Sequence, residues 1–240
     1  MAANRAMFLW WGSGSCPSWK PMLVLGEKGL WEGLPNKQIS FDKNEQRGAD
    51  IMAVNQRGQV PTFKDGSLVV NESNAICMYL EEKYSNDSNR LLPASVEERS
   101  QVYWRMFEAD NLLSSYCLAI SCYYCFLCLK PLIYERWLMS ADDWNKIDVT
   151  ARVNRAKTEL GYWERTLTGR RYLVGDKFTM ADVCCFPFVA FIVRLGAKLD
   201  EFPALRGYYE FLVNRPSAQQ TWPPHWKEGP CGDTHFMEGL

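Results

Sequence analysis

The hydrophobic pattern of this chain changes its period once, and the change falls at residues 86–94. Before it, short apolar runs alternate with helical spacing. Residues 7–11 are a β-rich apolar run. Pro17 stands where a first helical turn begins, and Met22, Leu23, Leu25 and Leu30 supply apolar positions after it. Lys28-Gly29 marks that helix's end, a cation in the last turn and a glycine just past it. Residues 37–41 predict a short strand and residues 48–54 a short helix. Thr62-Phe63-Lys64, Asp65-Gly66 and Leu68-Val69-Val70 predict a hairpin, with Asp-Gly supplying the positive φ of a tight turn. Ser73 opens a helix that keeps Ile76, Tyr79, Leu80 and Tyr84 near one face. The order strand, helix, strand, helix, strand, strand, helix is a small α/β unit with a mixed sheet, residues 1–85.

Residues 86–94 are polar, contain Pro93 and read as a linker; residues 95–228 are helical throughout. A long pattern from 95 to 129 stops at Pro131. Ser140-x-x-Asp143 and Thr179-x-x-Asp182 are capping boxes that open further helices. Pro203 begins a last helix that closes before Pro216, and residues 229–240 read as a flexible tail. A chain of 240 residues suits two small domains or one large one.

A net charge of −1 argues against a nucleic-acid partner, which calls for a basic stripe. The two histidines, His225 and His235, lie in the last sixteen residues. Their position argues against a histidine-centred triad or a histidine-rich metal site inside the fold and points to Ser, Cys, Tyr, carboxylates or a borrowed cofactor. Nine cysteines are an odd number without the spacing of a disulfide framework. The apolar run at residues 7–11 is too short for a signal peptide. Both observations point to a reducing, cytoplasmic setting. Residues 111–129 carry no charge, nearly the length of a membrane span. Asn111, Ser114, Ser115, Ser121 and three tyrosines inside that run favour a buried helix instead. Cys117, Cys122, Cys125 and Cys128 share it, but mid-helix sulfurs at this spacing do not all face one way. They read as small buried hydrophobes and not as a metal cage, so no metal is expected.

Four motifs fall at defined places along this pattern. Gly14-Ser15-Cys16-Pro17 leads the first helix, and Asn55-Gln56-Arg57-Gly58-Gln59-Val60-Pro61 precedes the third strand. Asn71-Glu72-Ser73-Asn74-Ala75-Ile76 opens the third helix. Gly175-Asp176-Lys177-Phe178-Thr179-Met180-Ala181-Asp182 sits in the helical half. With these motifs in this order the chain resembles the cytosolic glutathione transferases over residues 6–228. Trp10-Trp11-Gly12-Ser13-Gly14-Ser15 and the ending Arg215-Pro216-Ser217 with Trp222-Pro223-Pro224-His225-Trp226 are most similar to the rho class of aquatic animals. The Ser15 region is also similar to the delta, theta and zeta classes. The resemblance implies an α/β plus all-α architecture: an N-terminal thioredoxin-like βαβαββα domain followed by a C-terminal helical bundle.

The resemblance also implies roles. Ser15 matches the serine that donates a hydrogen bond to the glutathione sulfur. A free thiol has a pKa of ~8.5, and a hydroxyl donor together with a helix N-terminus favours its anion. Val60 matches the backbone clamp on the cysteinyl part of glutathione, with Pro61 holding a cis turn. Such a turn points the N–H and C=O of Val60 outward, toward an extended peptide. Glu72 and Ser73 match the pair that binds the γ-glutamyl end, Ser73 at a helix N-terminus suited to a carboxylate. Gln46 stands where several relatives place a histidine that meets the glycine carboxylate; Arg47 or Lys43 could substitute, and Gln59 adds a further contact. Thr179 and Asp182 match the family's helix-capping box and serve folding.

An apolar electrophile is the second substrate the resemblance implies. Phe107, Asn111, Leu112, Tyr116 and Tyr123, with Trp222 from the tail, are candidates for its wall. A homodimer is implied as well. Two alternatives stay open. Cys16-Pro17 resembles the reactive pair of thiol-transferring and dehydroascorbate-reducing relatives, in which a thiol at a helix N-terminus forms a mixed disulfide with glutathione. A non-catalytic binding or channel-like protein can share the same fold.

Overall fold

Residues 7–11 form strand β1 (Met7–Trp11), with Met7, Leu9 and Trp11 buried and Phe8 and Trp10 half-buried between them. The structure, a computed structural model, describes residues 7–114, 149–194 and 196–228. Strand β2 (Asn36–Gln38) pairs parallel with β1 on one side, and β3 (Thr62–Asp65) antiparallel on the other. Strand β4 (Leu68–Asn71) pairs antiparallel with β3, giving the sheet order β2-β1-β3-β4. Helix α1 (Cys16–Glu27) follows β1, and a 3₁₀ turn (Glu45–Arg47) and helix α2 (Ala49–Met52) precede β3. Helix α3 (Ser73–Tyr84) follows β4 and packs against α1. Leu9, Leu23, Leu25, Phe63, Ile76 and Leu80 are fully buried in this unit. Each such side chain contributes roughly 1.5–3 kcal/mol by leaving water.

The first helix ends where its sequence says it should. Gly29 takes a φ of +63° and donates to Gly26 O, while Leu30 N donates to Leu25 O. These are the two bonds of a Schellman cap. Two expectations shift. The strand predicted at residues 37–41 lies at Asn36–Gln38, an exposed edge strand without apolar alternation. Phe41 leaves the sheet and packs so closely on Gly12 that a Cβ there would collide with its ring. The hairpin turn is Gly66-Ser67 and not Asp65-Gly66, because Asp65 pairs with Leu68 as the last residue of β3. The Asp65 carboxylate accepts from Tyr79 and Tyr84 hydroxyls and from Lys83.

The chain divides into two compact units, Met1–Ala94 with Phe211–Pro230, and Ser95–Glu210 with Cys231–Leu240. The first is thioredoxin-like and the second helical. Residues 86–92 are strapped onto the first unit by a buried ion pair. Lys28 Nζ donates to Glu81 Oε2 at 2.5 Å, to Ser85 Oγ and to Asn89 O. The other Glu81 oxygen accepts from Leu91 N and Leu92 N.

In the helical unit Ser95 Oγ caps helix α4 (Val96–Ser114) by accepting from Glu98 N. Helix α5 (Val149–Leu167) and helix α6 (Met180–Arg194) follow, and α4 packs against α6. Helix α6 is apolar all round and buried from Met180 to Ile192. The predicted box is present: Asp182 accepts from the Thr179 N–H and hydroxyl, and also from Leu173 N. Burial pushes its carboxyl up to about 6 despite these donors. Tyr208 lies against the same carboxylate; burial and that charge raise its phenol far above the usual value, yet the hydroxyl makes no bond of hydrogen-bond geometry among the described residues. Glu164 caps helix α7 (Pro203–Leu212) by accepting from Ala204 N and Leu205 N. The part of the predicted 95–129 helical pattern after residue 114, the Ser140–Asp143 box and the four cysteines from 117 to 128 lie outside the described residues.

Candidate active site

The sheet register brings the N-terminal motifs to one end. Trp10 pairs with Thr62, and Thr62 with Asn71, while Trp11 pairs with Gln38. The segments leaving this row are the turn at residues 12–15, the Val60-Pro61 dipeptide, Glu72-Ser73 and the stretch toward the Glu45–Arg47 turn. Predicted glutathione contacts far apart in sequence thus emerge from one sheet end.

Ser15 is the N-cap of α1, with extended backbone (φ −75°, ψ 109°), and its Oγ accepts from Ser18 N at 3.4 Å. The turn before it is closed by Ser15 N donating to Gly12 O and Gly12 N donating to Ser18 Oγ. Ser15 is half-buried at the positive end of a twelve-residue helix. A hydroxyl that accepts here still has its own proton to donate.

The Val60-Pro61 bond is cis. The loop before it is built around buried Asn55, whose amide donates to Gln59 O and Thr62 Oγ1 and whose oxygen accepts from Arg57 N. Gly58 (φ +59°) packs against the 3₁₀ turn, where a Cβ would meet Gln46 O at 2.9 Å and Arg47 Cδ at 2.7 Å. Gln46 and Arg47 therefore stand beside the segment that carries Gln59 and Val60. Two buried oxygens in this region, Gln46 Oε1 and Asn71 Oδ1, have no hydrogen-bond partner among the described residues.

Glu72 precedes α3 with φ +72° and ψ 119°, an uncommon conformation for a residue with a side chain. Its side chain is exposed, and Ser73 behind it begins a twelve-residue helix. Lys20, buried on α1, donates to Asn74 Oδ1 at 3.2 Å and ties that first turn to α1.

Comparison with known proteins gives the family. Residues 15–83 match the model of the glutathione S-transferase N-terminal domain, and residues 126–216 that of the C-terminal domain. Glutathione S-transferase A of Pleuronectes platessa is 39% identical over 95% of this chain and 96% of its own. The chain belongs to the glutathione S-transferase family. A glutathione S-transferase from the Antarctic clam Laternula elliptica superimposes with a TM-score of 0.81 at 40% identity, covering 98% of this chain and 99% of the clam protein. A glutathione transferase from Phanerochaete chrysosporium, solved with oxidized glutathione, shares the fold at a TM-score of 0.74 and 21% identity, over 95% and 98% of the two chains. The protein is a glutathione transferase, with glutathione as its substrate.

Other candidate residues of the transferase separate by environment. Cys16 is buried inside α1, and that burial pushes its thiol up to about 12, with the Lys20 charge opposing. This is the reverse of the low value a reactive thiol needs. On α4, Phe107 is 66% exposed, whereas Leu112 is fully buried and Asn111 lies one residue before it. Tyr116 and Tyr123 lie outside the described residues. Trp222 is half-buried and meets the Trp19 ring of α1 edge-on at 5.1 Å.

Sequence reasoning missed two residues. Asn55 organises the loop before Pro61, and a polar residue in a polar motif gives no sign of being buried. His225, expected to be peripheral, returns to the turn before Ser15: its Nδ1 lies 2.6 Å from Ser13 Oγ. No periodicity connects residues so far apart in sequence.

Proposed function

We propose that Ser15 makes this enzyme a serine-type glutathione transferase, its hydroxyl donating to the glutathione sulfur and holding it as thiolate. The thiol proton goes to solvent. The thiolate then forms a carbon–sulfur bond to an apolar electrophile as the leaving group departs or a double bond accepts the electron pair. The observation that carries this reading is the position of Ser15. It caps α1 at the same sheet end as the cis Val60-Pro61 bond and the Glu72-Ser73 helix start.

Val60 is assigned the backbone contact to the cysteinyl unit, with Pro61 shaping it and Gln59 beside it. Glu72 and Ser73 take the γ-glutamyl ammonium and carboxylate. Gln46 and Arg47 serve the glycine end, where the Gln46 amide N–H and the Arg47 guanidinium are the groups able to donate to its carboxylate. Phe107, Asn111 and Leu112 of α4, Tyr116, Tyr123 and Trp222 are the candidates for the electrophile wall. Cys16 is not chosen as the reactive group, because burial disfavours its thiolate. Rho-class membership, a homodimer and a cytoplasmic setting complete the reading. No helix among the described residues is long and apolar enough to cross a membrane.

The test is conjugation of a chloronitrobenzene electrophile by wild type, Ser15→Ala and Cys16→Ala. Loss of one preorganised donor to a developing anion costs about 100-fold or more in rate, so Ser15→Ala should lose about that factor while Cys16→Ala retains activity. Full activity in Ser15→Ala defeats the assignment, and loss of thiol transfer in Cys16→Ala alone selects the redox alternative.

A further inference from the structure

The turn that presents Ser15 is held from within by two bonds, Ser15 N to Gly12 O and Gly12 N to Ser18 Oγ. Glycines at 12 and 14 leave it intrinsically mobile. Ser13 is the side chain between them that a neighbour can grip, and an arm from the far end of the chain grips it.

That arm is braced along its length. Glu27 at the end of α1 accepts from Arg215 Nε and Nη2 at 2.6 and 2.7 Å and from the Ser217 hydroxyl. Helix α8 (Pro216–Thr221) packs along α1, and Trp19 Nε1 donates to Thr221 Oγ1 at 2.8 Å. The Trp19 ring then meets Trp222 and Trp226 edge-on at 5.1 and 5.5 Å. His225 lies against Trp226, ring centroids 6.1 Å apart. Its Nδ1 is 2.6 Å from Ser13 Oγ, a hydrogen bond whose donor depends on the ring tautomer. A Cβ at Gly14 (φ +73°) would meet His225 Cε1 at 2.7 Å and Trp226 Nε1 at 3.1 Å, so the ring pair closes over the turn one residue before Ser15.

We infer that His225, by holding Ser13, fixes the turn that aims the Ser15 hydroxyl at the glutathione sulfur, and so acts as a positioning residue for thiol ionisation. The inference rests on the serine-type reading above. A hydroxyl that stabilises the thiolate works only while it points at the sulfur, and a glycine-flanked turn without its outer anchor spreads over more orientations. Glutathione binding through Val60, Glu72 and Ser73 does not pass through this contact, so the effect falls on ionisation and turnover.

The test uses the full chain and the variants Ser13→Ala, His225→Ala and their double, with Ser15→Ala alongside. The readouts are the thiol pKa of bound glutathione, followed by thiolate absorbance against pH, kcat and KM for glutathione, and Tm as a check on folding. One hydrogen bond is worth about a fivefold factor. Each single variant should therefore raise the bound thiol's pKa, lowering its acid constant by about that factor, and lower kcat similarly, with KM for glutathione within about twofold and Tm unmoved. The double variant should be no worse than either single, because both remove the same contact. An unchanged thiol pKa in His225→Ala, an effect in only one of the two singles, or losses that multiply in the double overturns the inference. If Ser15→Ala also leaves the thiol pKa unchanged, the serine-type reading falls and the inference with it. If Ser15→Ala raises it and His225→Ala does not, only the role of His225 falls.

Discussion

The sheet end of the thioredoxin-like unit and the capping box of the helical unit treat polar groups in opposite ways. At the sheet end Ser15 has a proton to donate, Glu72 is exposed, and Gln46 Oε1 and Asn71 Oδ1 are buried without a partner among the described residues. At the box, Asp182 is fully buried and its oxygens are occupied by Leu173 and Thr179. Glu164 is likewise taken up by Ala204 and Leu205. Unsatisfied hydrogen-bonding capacity costs stability, and two of the three such buried atoms among the described residues lie at the sheet end, the Tyr208 hydroxyl beside the box being the third. Closed centres hold the fold, and the open one is where the proposed function puts the chemistry. Changes at closed centres should therefore appear in stability, and changes at the open one in rate.

The largest stability effect should come from Glu81→Gln. It breaks the buried pair with Lys28 and sets an amide NH2 against the ammonium, while the remaining oxygen can still accept from Leu91 N and Leu92 N. Removing one partner of a buried pair costs about 3–5 kcal/mol. Denaturant midpoints should fall accordingly, while the folded fraction retains its turnover; a loss of turnover without a loss of stability would break the division between centres.

Asp182 provides a second test, through pH. Its carboxyl titrates at about 6 in the fold against an ordinary 3.8. The folded chain thus holds that proton more tightly than the unfolded chain. The stabilisation is complete below the unfolded value and is lost as pH rises through about 6. From pH 4 to pH 7 the wild type should lose roughly 2–3 kcal/mol relative to Asp182→Asn, which does not titrate. Parallel pH profiles of the two denaturation midpoints would contradict this.

The smallest effect on stability should come from Phe107→Ala. Phe107 is 66% exposed, so its truncation should change stability by less than about 0.5 kcal/mol. If it belongs to the electrophile wall, KM for an apolar electrophile rises while KM for glutathione stays. Equal changes in both KM values would remove it from the wall.

Much of the sheet end could be read from sequence because its motifs are short and local. The Gly14-Ser15-Cys16-Pro17 cap and the Val60-Pro61 turn are set by residues within a few positions of each other. The Schellman end of α1 and the Thr179–Asp182 box are equally local. Strand β2 was misplaced because an exposed edge of Asn36, Lys37 and Gln38 carries no alternation. The hairpin turn shifted by one residue because Asp65 is held in the strand by Tyr79, Tyr84 and Lys83, contacts that local sequence does not encode. His225 was illegible for the same reason on a larger scale. Its place depends on Trp19, Trp222 and Trp226 packing together, which only the fold brings about.

The most direct test of the open sheet end is the thiol pKa of glutathione bound to wild type and to Ser15→Ala. Free thiols titrate near ~8.5. The wild type should hold the bound thiol below that value, and Ser15→Ala should return it most of the way, with Cys16→Ala matching wild type. A Ser15→Ala enzyme whose bound thiol still titrates as in the wild type would contradict the account.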